Sequence, residues 1–490
     1  MSKSLRKLWP WKTRRFWALA MVLPPLFGCA VGPDYVRPEM PAPGAFKEAG
    51  EWKPGQPQDA APRGDWWAVY EDPILDDLER QVEVSNQNLK AAEAAFRAAQ
   101  AVIGEARAQY FPVVSATGSA TRSGAGGQSG GTSSSSSSGR VRTQYNVSAA
   151  ASWELDVWGR IRRTVEADVA NAQASAADLA SAKLSAQATL ASDYLQLRVN
   201  DELRHLLEET VNAFATTLEI TSNRYNAGTA AKSDVVAAQA QLDGTRAALI
   251  NVGVQRAQLE HAIAALIGKP PAEFSIAPEP FAIRVPRTPP GLPSELLERR
   301  PDIAASERAV AAANAQIGIA ESAYFPTLTL SGSYGFSNAA FSRLLTAPSA
   351  LWSFGPQLAA TLLDFGLRSS QVAAARATHE QTVANYRQTV LTAFQQVEDD
   401  LATLRILEQQ QEVQAAAVAS SEEAVRLFIN QYKAGIVAYT SVITAQTTAL
   451  TNEQNALSVL QSRLAASVAL IQALGGGWNA AQIPSSDKLQ

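Results

Sequence analysis

The chain has 490 residues, a formal net charge of −4 and a single cysteine, so no intramolecular disulfide can form. The three histidines, His205, His261 and His379, are scattered, which leaves no metal-ligand cluster. No nucleophile–base pair, Gly-rich phosphate loop or Cys/His cluster is visible, so neither an enzyme nor a cofactor protein is expected.

In chain order, residues 1–28 come first. They hold Lys3, Arg6, Lys7, Lys12, Arg14 and Arg15 and no acid, followed by an apolar run from Phe16 to Phe27. This is the pattern of a secretory signal, and the run is shorter than the roughly 20 residues a spanning helix needs. No later segment reaches that length without charge, so no membrane-spanning helix is expected in the mature chain. Leu26-Phe27-Gly28-Cys29 reads as a bacterial lipobox, with Cys29 diacylated and first in the mature chain. In bacterial lipoproteins an Asp after the cysteine usually signals inner-membrane retention, so the resemblance to them implies, with Ala30 here, the outer membrane. The polar, Pro-rich stretch from Gly32 to Gly55 reads as a flexible tether within an anchor region, 29–63. Without the six basic residues of 1–28 the mature chain keeps 36 Lys and Arg against 46 Asp and Glu, a net of −10. That argues against nucleic acid as a partner.

The remainder is two copies of one unit. "NLKAAEAAFRAAQAVIGEARAQYFPVVSATGS" from Asn88 matches "DIAASERAVAAANAQIGIAESAYFPTLTLSGS" from Asp302 at an offset of 214. "RYNAGTAAKSDVVAAQAQL" from Arg224 matches "QYKAGIVAYTSVITAQTTA" from Gln431 at an offset of 207. The first copy is therefore longer between these anchors, and the Gly/Ser-rich run from Gly124 to Gly139 is the obvious loop. The units span 64–268 and 294–474, joined by a Pro-rich crossover, 269–293, and followed by a tail, 475–490.

Each unit predicts the same elements. A helix capped by Asn88 or Asp302 runs about 23 residues to a Tyr-Phe-Pro stop. An alternating strand follows, then a loop and a second strand, around Tyr145 to Glu154 in the first unit and Leu351 to Leu363 in the second. Proline- and glycine-free, Ala-rich stretches then run from about Gly159 to Arg224 and from Leu367 to Lys433, each predicting a helix of about 98 Å. Ala227-Gly228 and Ala434-Gly435 turn the chain, and helices of about 35–40 residues return. The short and return helices together match the long one, as in antiparallel coiled-coil hairpins. The segments from Gly64 to Val82 and from Lys269 to Ile303 should form a girdle outside the helices, with Trp66 and Trp67 as core anchors.

Four strands of membrane-crossing length cannot close a barrel, and an open edge is not tolerated in lipid. The barrel must then be shared between copies. Three chains would supply twelve strands, although composition alone also allows two or four. Glu398-Asp399-Asp400 lie consecutively on a helix and splay apart, so they read as a solvated face or a polar lining. Arg299 and Arg300 read as structural ion-pair formers beside Asp302.

"DWWAVYEDPILDDL", "LPSELLERRPDIAASE", the paired Tyr-Phe-Pro motifs, "FQQVEDDL" and "ALGGGW" resemble the TolC-like outer-membrane factor family, in its lipoprotein branch serving RND-type efflux systems. The resemblance covers about residues 30–478. It implies a mainly α fold with a membrane β-barrel part: a homotrimer with a shared 12-stranded barrel and a long periplasmic α-barrel. It further implies an outer-membrane location with Cys29 as lipid anchor, a periplasmic adaptor and an inner-membrane RND transporter as partners, and passive conduction of drugs or other small molecules. Type I protein secretion is the alternative within the same architecture. A surface coiled-coil lipoprotein is disfavoured by the four strands. Met40 is the one methionine of the mature chain, which disfavours a soft-metal cargo.

The two turns, Tyr225 to Asp234 and Tyr432 to Ser441, lie farthest from the strands and are the expected gate. Related channels often place an acidic residue just after the second turn's glycine, where this chain has Ile436-Val437-Ala438-Tyr439. Closure is therefore expected from Ile436, Val437 and Tyr439 about the axis, with Tyr225 and Tyr432 flanking and Asp234 the nearest charge. The alternative is that these side chains pack within their own hairpin.

Overall fold

The computed structural model describes residues 30–41, 43–49, 65–124, 141–279, 284–286 and 296–489. The expected signal segment, Cys29, most of the Gly/Ser-rich loop and most of the crossover after 279 lie outside these residues.

Helix α1 (Pro73–Ser85) starts on Asp72, whose carboxylate accepts the N–H groups of Ile74 (2.8 Å) and Leu75 (3.1 Å), with proline at the first helical position. Helix α2 (Gln87–Ala108) is capped by Asn86, not by Asn88 as expected. The Asn86 side chain is two and three residues ahead of the N–H groups it accepts from, Asn88 and Leu89, which is the reach a cap requires. Strands β1 (Val113–Ser123) and β2 (Arg142–Leu155) follow. Helix α3 (Arg160–Asn226) has 67 residues, or about 100 Å, and helix α4 (Lys232–Leu266) returns along it.

A short helix α5 (Leu296–Arg299) leads into α6 (Pro301–Ser322). Asp302, expected as its cap, is the second residue inside it. Pro301 takes the first position, and the Asp302 carboxylate grips the Arg300 guanidinium at 3.0 and 2.6 Å. Strands β3 (Thr327–Asn338) and β4 (Ala350–Ala359) precede α7 (Leu367–Lys433, again 67 residues) and α8 (Tyr439–Ala473). Strand β4 stops four residues short of the expected Leu363, where β3 offers no further partner.

The strands form one antiparallel sheet in the order β1-β2-β3-β4. Among the described residues its outer edges, on β1 and β4, have no pairing strand, and every residue of β1 is exposed. The main core lies midway down the helices. There Trp66, Trp67, Leu75, Leu78 and Val82 pack on Leu190, Tyr194 and Leu197 of α3, Ile263 of α4 and Leu464 and Val468 of α8. Trp66 and Trp67 are buried, as expected of anchors.

The N-terminal stretch is not the free tether expected. Residues 30–41 and 43–49 form a strap along the helices. Val31 N–H donates to Trp158 O (3.0 Å), and Arg163 donates to Val31 O and Gly32 O and pairs with Asp34 (2.9 Å). Asn314 donates to Pro33 O (2.9 Å), Tyr35 bonds Glu307, and Phe46 is buried against Val397 and Leu401. A Cβ on Gly318 would lie 2.8 Å from Val31 O, so the strap's start needs glycine there. Its Pro-rich composition suits an extended chain, but its partners lie far away in sequence.

Among the described residues, α8 alone is long and apolar enough to cross a membrane by length and composition, which the charge pattern did not lead us to expect. It is packed along α7 and against α3, and its Leu464, Val468 and Ile471 sit in the core.

Candidate functional site at the hairpin tips

Both tips end in the same device. Gly228 (φ +75°) and Gly435 (φ +73°) adopt the left-handed conformation that lets a helix terminate. Gly228 N–H donates to Tyr225 O (2.9 Å) and Thr229 N–H to Arg224 O (2.8 Å). Gly435 and Ile436 repeat this on Tyr432 O and Gln431 O (both 2.9 Å). Paired 5→2 and 6→1 bonds of this kind satisfy the last carbonyls of each long helix.

The two hairpins are bound to each other. Tyr432, Tyr439, Val442 and Ala238 form a buried cluster that Leu218 and Ile220 of α3 and Val437 of the second turn join. The Tyr432 and Tyr439 rings are 5.4 Å apart. Burial, then the neighbouring Tyr432 and the Asp234 carboxylate, push the Tyr439 phenol up to about 12, so it stays protonated. Farther up, Gln446 of α8 donates to Thr217 of α3 (3.1 Å) in a buried contact.

Arg224 of α3 crosses to the other hairpin. Its Nη1 donates to Tyr432 O and, at 3.1 Å, to Lys433 O, and its guanidinium lies 4.6 Å from the Tyr432 ring centroid. A cation thus sits on the final carbonyls of α7, where the helix dipole favours it. Sequence reasoning missed this residue. A basic residue in the last turn of α3 was visible, but its partner belongs to a helix more than 200 positions away.

Of the residues expected at the gate, Tyr432 and Tyr439 are buried between helices and Val437 is half-buried beside them. Ile436 projects from the turn, 73% exposed, and Tyr225 is exposed on the other tip. Asp234 is half-buried in the first turn of α4.

A second polar region lies midway down. A cavity of about 370 Å³ is lined by Arg300, Asp302, Gln396, Asp399, Asp400 and Gln472. Burial, and then the Asp399 carboxylate, push Asp400 up to about 6 against the opposing pull of Arg300. Glu398 does not line it. Its oxygens accept the N–H groups of Lys47 (2.7 Å) and Glu48 (2.9 Å) and hold the end of the strap.

Buried charge lies where α3 and α4 meet the segments packed against them. Asp201 of α3 lies between Arg256 of α4 (2.7 Å) and Arg198 (3.7 Å), with all three side chains largely enclosed. Arg198 also donates to Tyr194 and to Ala277 O, and Arg256 to Ile276 O. Glu79 of α1 is fully enclosed, neither oxygen has a hydrogen-bond partner, and burial, with Glu83 nearby, raises it to about 9. The folded chain therefore holds a proton there that the unfolded chain releases near its ordinary value. This group's contribution to stability is full below about pH 4.5 and is lost as pH climbs towards 9. Glu79→Gln should flatten that slope and raise the unfolding midpoint at pH 8; a midpoint that drops at pH 8 would contradict a buried neutral acid.

Residues 78–269 and 292–476 match the outer membrane efflux protein family. The chain belongs to that family. It is 30% identical to the probable efflux pump outer membrane protein TtgC of Pseudomonas putida, over 95% of this chain and 96% of that one. It is 32% identical to the pyoverdine export outer membrane protein OpmQ of Pseudomonas aeruginosa, over 86% and 89%. The solved outer-membrane channel OprN superposes with a TM-score of 0.83 at 28% identity, covering 92% of this chain and all of that one. This outer membrane efflux protein is thus an outer-membrane efflux channel of mostly helical, TolC-like fold with a four-strand sheet. Its relatives are transport proteins rather than enzymes.

Proposed function

We propose that three copies of this chain assemble into a conduit, with a shared twelve-stranded barrel in the outer membrane and a periplasmic helical barrel that ends in a gated tip. It passively conducts drugs or other small molecules delivered by an inner-membrane RND transporter through a periplasmic adaptor. Cys29 carries the acyl chains that tie the strap's start to the membrane. The relatives' descriptions, efflux pump and pyoverdine export, support small-molecule cargo.

The observation that carries the assembly is an asymmetry between equivalent positions. Leu184 and Val199 of α3 are buried (9% and 4% exposed), whereas their counterparts 207 residues on, Leu391 and Ile406 of α7, are 51% and 53% exposed. Ile250 of α4 is exposed where its counterpart Leu457 of α8 packs on the core. Helix α3 finds α6 and α8 inside the chain. Helix α7 has the same apolar face and needs α2 and α4 of another copy to cover it. At the tip, Ile436 is the side chain free to meet its counterparts about the axis, with Asp234 the nearest acid, while Val437, Tyr432 and Tyr439 stiffen the hairpins behind it.

Purification in mild detergent tests this. The particle should have the mass of three chains and form pores in planar bilayers, and residue 29 should carry a diacylglyceryl adduct by mass spectrometry. A stable folded monomer would sink the shared-barrel reading. A free N-terminus elsewhere would sink the anchor alone.

A further inference from the structure

Charge in the two segments that build the sheet is segregated by sign and by end. Residues 113–153 and 323–363 contain no aspartate, glutamate or lysine, in a chain whose formal net charge is −4. Their charged residues are all arginines: Arg122, Arg140, Arg142 and Arg343. Arg122 is next to last in β1 and Arg142 opens β2, at the end of the sheet away from the helices. Arg343 lies in the turn between β3 and β4, at that same end.

The register puts two of these arginines on opposite faces. Residues paired across antiparallel strands share a face, and neighbours along a strand alternate. Arg122 pairs with Thr143, whose face continues through Tyr145, Val147, Ala149 and Trp153 and suits lipid. Arg142 pairs with Ser123, on the face of hydroxyls and amides. Those groups bond one another across the strands. Gln144 donates to Ser337 (2.5 Å), Ser337 to Asn146 (2.6 Å) and Asn146 to Ser119 (3.4 Å), while Thr117 pairs with Ser148 (3.0 Å) and Ser333 with Ser353 (2.8 Å). Among the described strand residues, one other charge shares this face, Glu154 at the foot. The Arg160 guanidinium grips both its oxygens at 2.9 Å. Arg142 is exposed, and neither segment offers it a carboxylate.

We propose that Arg142, one from each copy, forms a basic ring at the outer mouth of an otherwise neutral bore, and that this ring makes the exit favour anionic solutes over cationic ones. This rests on the shared-barrel reading above and adds a charge preference to it. Twelve strands about 4.8 Å apart and tilted about 40° close a wall about 24 Å across, so the axis lies about 12 Å from the backbone and nearer to an inward guanidinium. The Debye length is about 30 Å at 0.01 M, about 10 Å at 0.1 M and about 3 Å at 1 M. The ring's field therefore fills the opening in dilute salt and withdraws to the wall in concentrated salt. Below the ring the hydroxyls and amides are already bonded to one another and carry no net charge, so nothing in the bore opposes the preference set at the mouth.

Particles of trimeric mass in planar bilayers test this, and because parent and variants share the same tip, differences between them read the mouth. Under a potassium chloride gradient in dilute salt, Arg142→Glu should shift the reversal potential towards cation preference. Arg142→Ala, with half the change in charge, should shift it less, and Arg122→Glu, on the lipid face beside it, should shift it least. The Arg142→Glu shift should vanish in concentrated salt. Inositol hexakisphosphate, added to one compartment at a time, should lower the current from the side of the mouth in the parent and in Arg122→Glu, and Arg142→Glu should lose that block. Block that survives in Arg142→Glu, or equal shifts at 122 and 142, overturns the ring and leaves the trimeric conduit standing. A monomeric particle, or one that forms no pore, overturns the conduit reading itself.

Discussion

Arg224→Ala should leave the channel assembled but leaking at rest. Each chain would lose two charge-assisted hydrogen bonds to the α7 terminus, at Tyr432 O and Lys433 O, and the cation–π contact with the Tyr432 ring. Bonds of that type are worth about 1.5–3 kcal/mol and an exposed cation–π contact about 0.5–1 kcal/mol. The side chain is half-exposed, so about 2 kcal/mol per chain is a reasonable net shift, roughly a 30-fold change in the balance between docked and parted hairpins. In planar bilayers the resting conductance of the variant should rise several-fold, with trimer mass unchanged. Arg224→Lys should recover only part of the closure, because an ammonium cannot reproduce the fork on two carbonyls and the flat stacking on tyrosine. Ile436→Ala should widen the closed tip without parting the hairpins, a smaller rise insensitive to salt. Tyr439→Ala is the wrong probe for the gate, since it removes a buried ring from the Tyr432 cluster and softens both hairpins. Unchanged conductance in both Arg224→Ala and Ile436→Ala would place closure elsewhere along the tunnel.

The long helices were legible because their signal is local. No proline or glycine interrupts the stretches before Arg224 and Lys433, and Gly228 and Gly435 stop the helices through a backbone conformation that only glycine adopts freely. The strands were legible from their alternation, though the end of β4 was not, because a strand's length depends on its partner and β3 runs out first. The caps were each misjudged by two positions, Asn86 standing where Asn88 was expected and Arg300 where Asp302 was. Glu398 was read as one of three splayed acids, which is true of its backbone. Its role came instead from Lys47 and Glu48, some 350 positions earlier. The strap and the Arg224 clasp share that reason. Both are made by contacts between segments distant in sequence, with no periodicity to announce them, whereas Trp66 and Trp67 could be placed in the core on bulk and hydrophobicity alone.

Asp201→Ala should strongly destabilise the contact between α3, α4 and the segment after α4. Its carboxylate is 2.7 Å from Arg256, closer than Glu260 at 3.6 Å, and lies 3.7 Å from Arg198, with the Asp201, Arg256 and Arg198 side chains only 4%, 13% and 3% exposed. Removing it leaves Arg256 on the longer Glu260 contact (3.6 Å) and Arg198 on Glu279 (3.5 Å), so the loss should approach the about 3–5 kcal/mol of a buried pair broken from one side. The loss should spread, because these arginines also hold the segment that leaves α4, through Ala277 O and Ile276 O, and through Tyr194 reach the α1 cap, Asp72. Denaturant unfolding of the purified protein should show an earlier midpoint, and limited proteolysis should cut near 276–279 before the helices are touched. Asp201→Asn keeps an acceptor for Arg256 without the charge and should fall between the variant and the parent. Arg256→Met with Asp201→Leu removes both members of the close pair and should recover much of the loss, since apolar replacement of a buried pair is often close to neutral. If Asp201→Ala unfolds at the parent's midpoint, water reaches the two arginines in the assembled protein, and this region depends instead on the packing of Trp67, Tyr194 and Leu75.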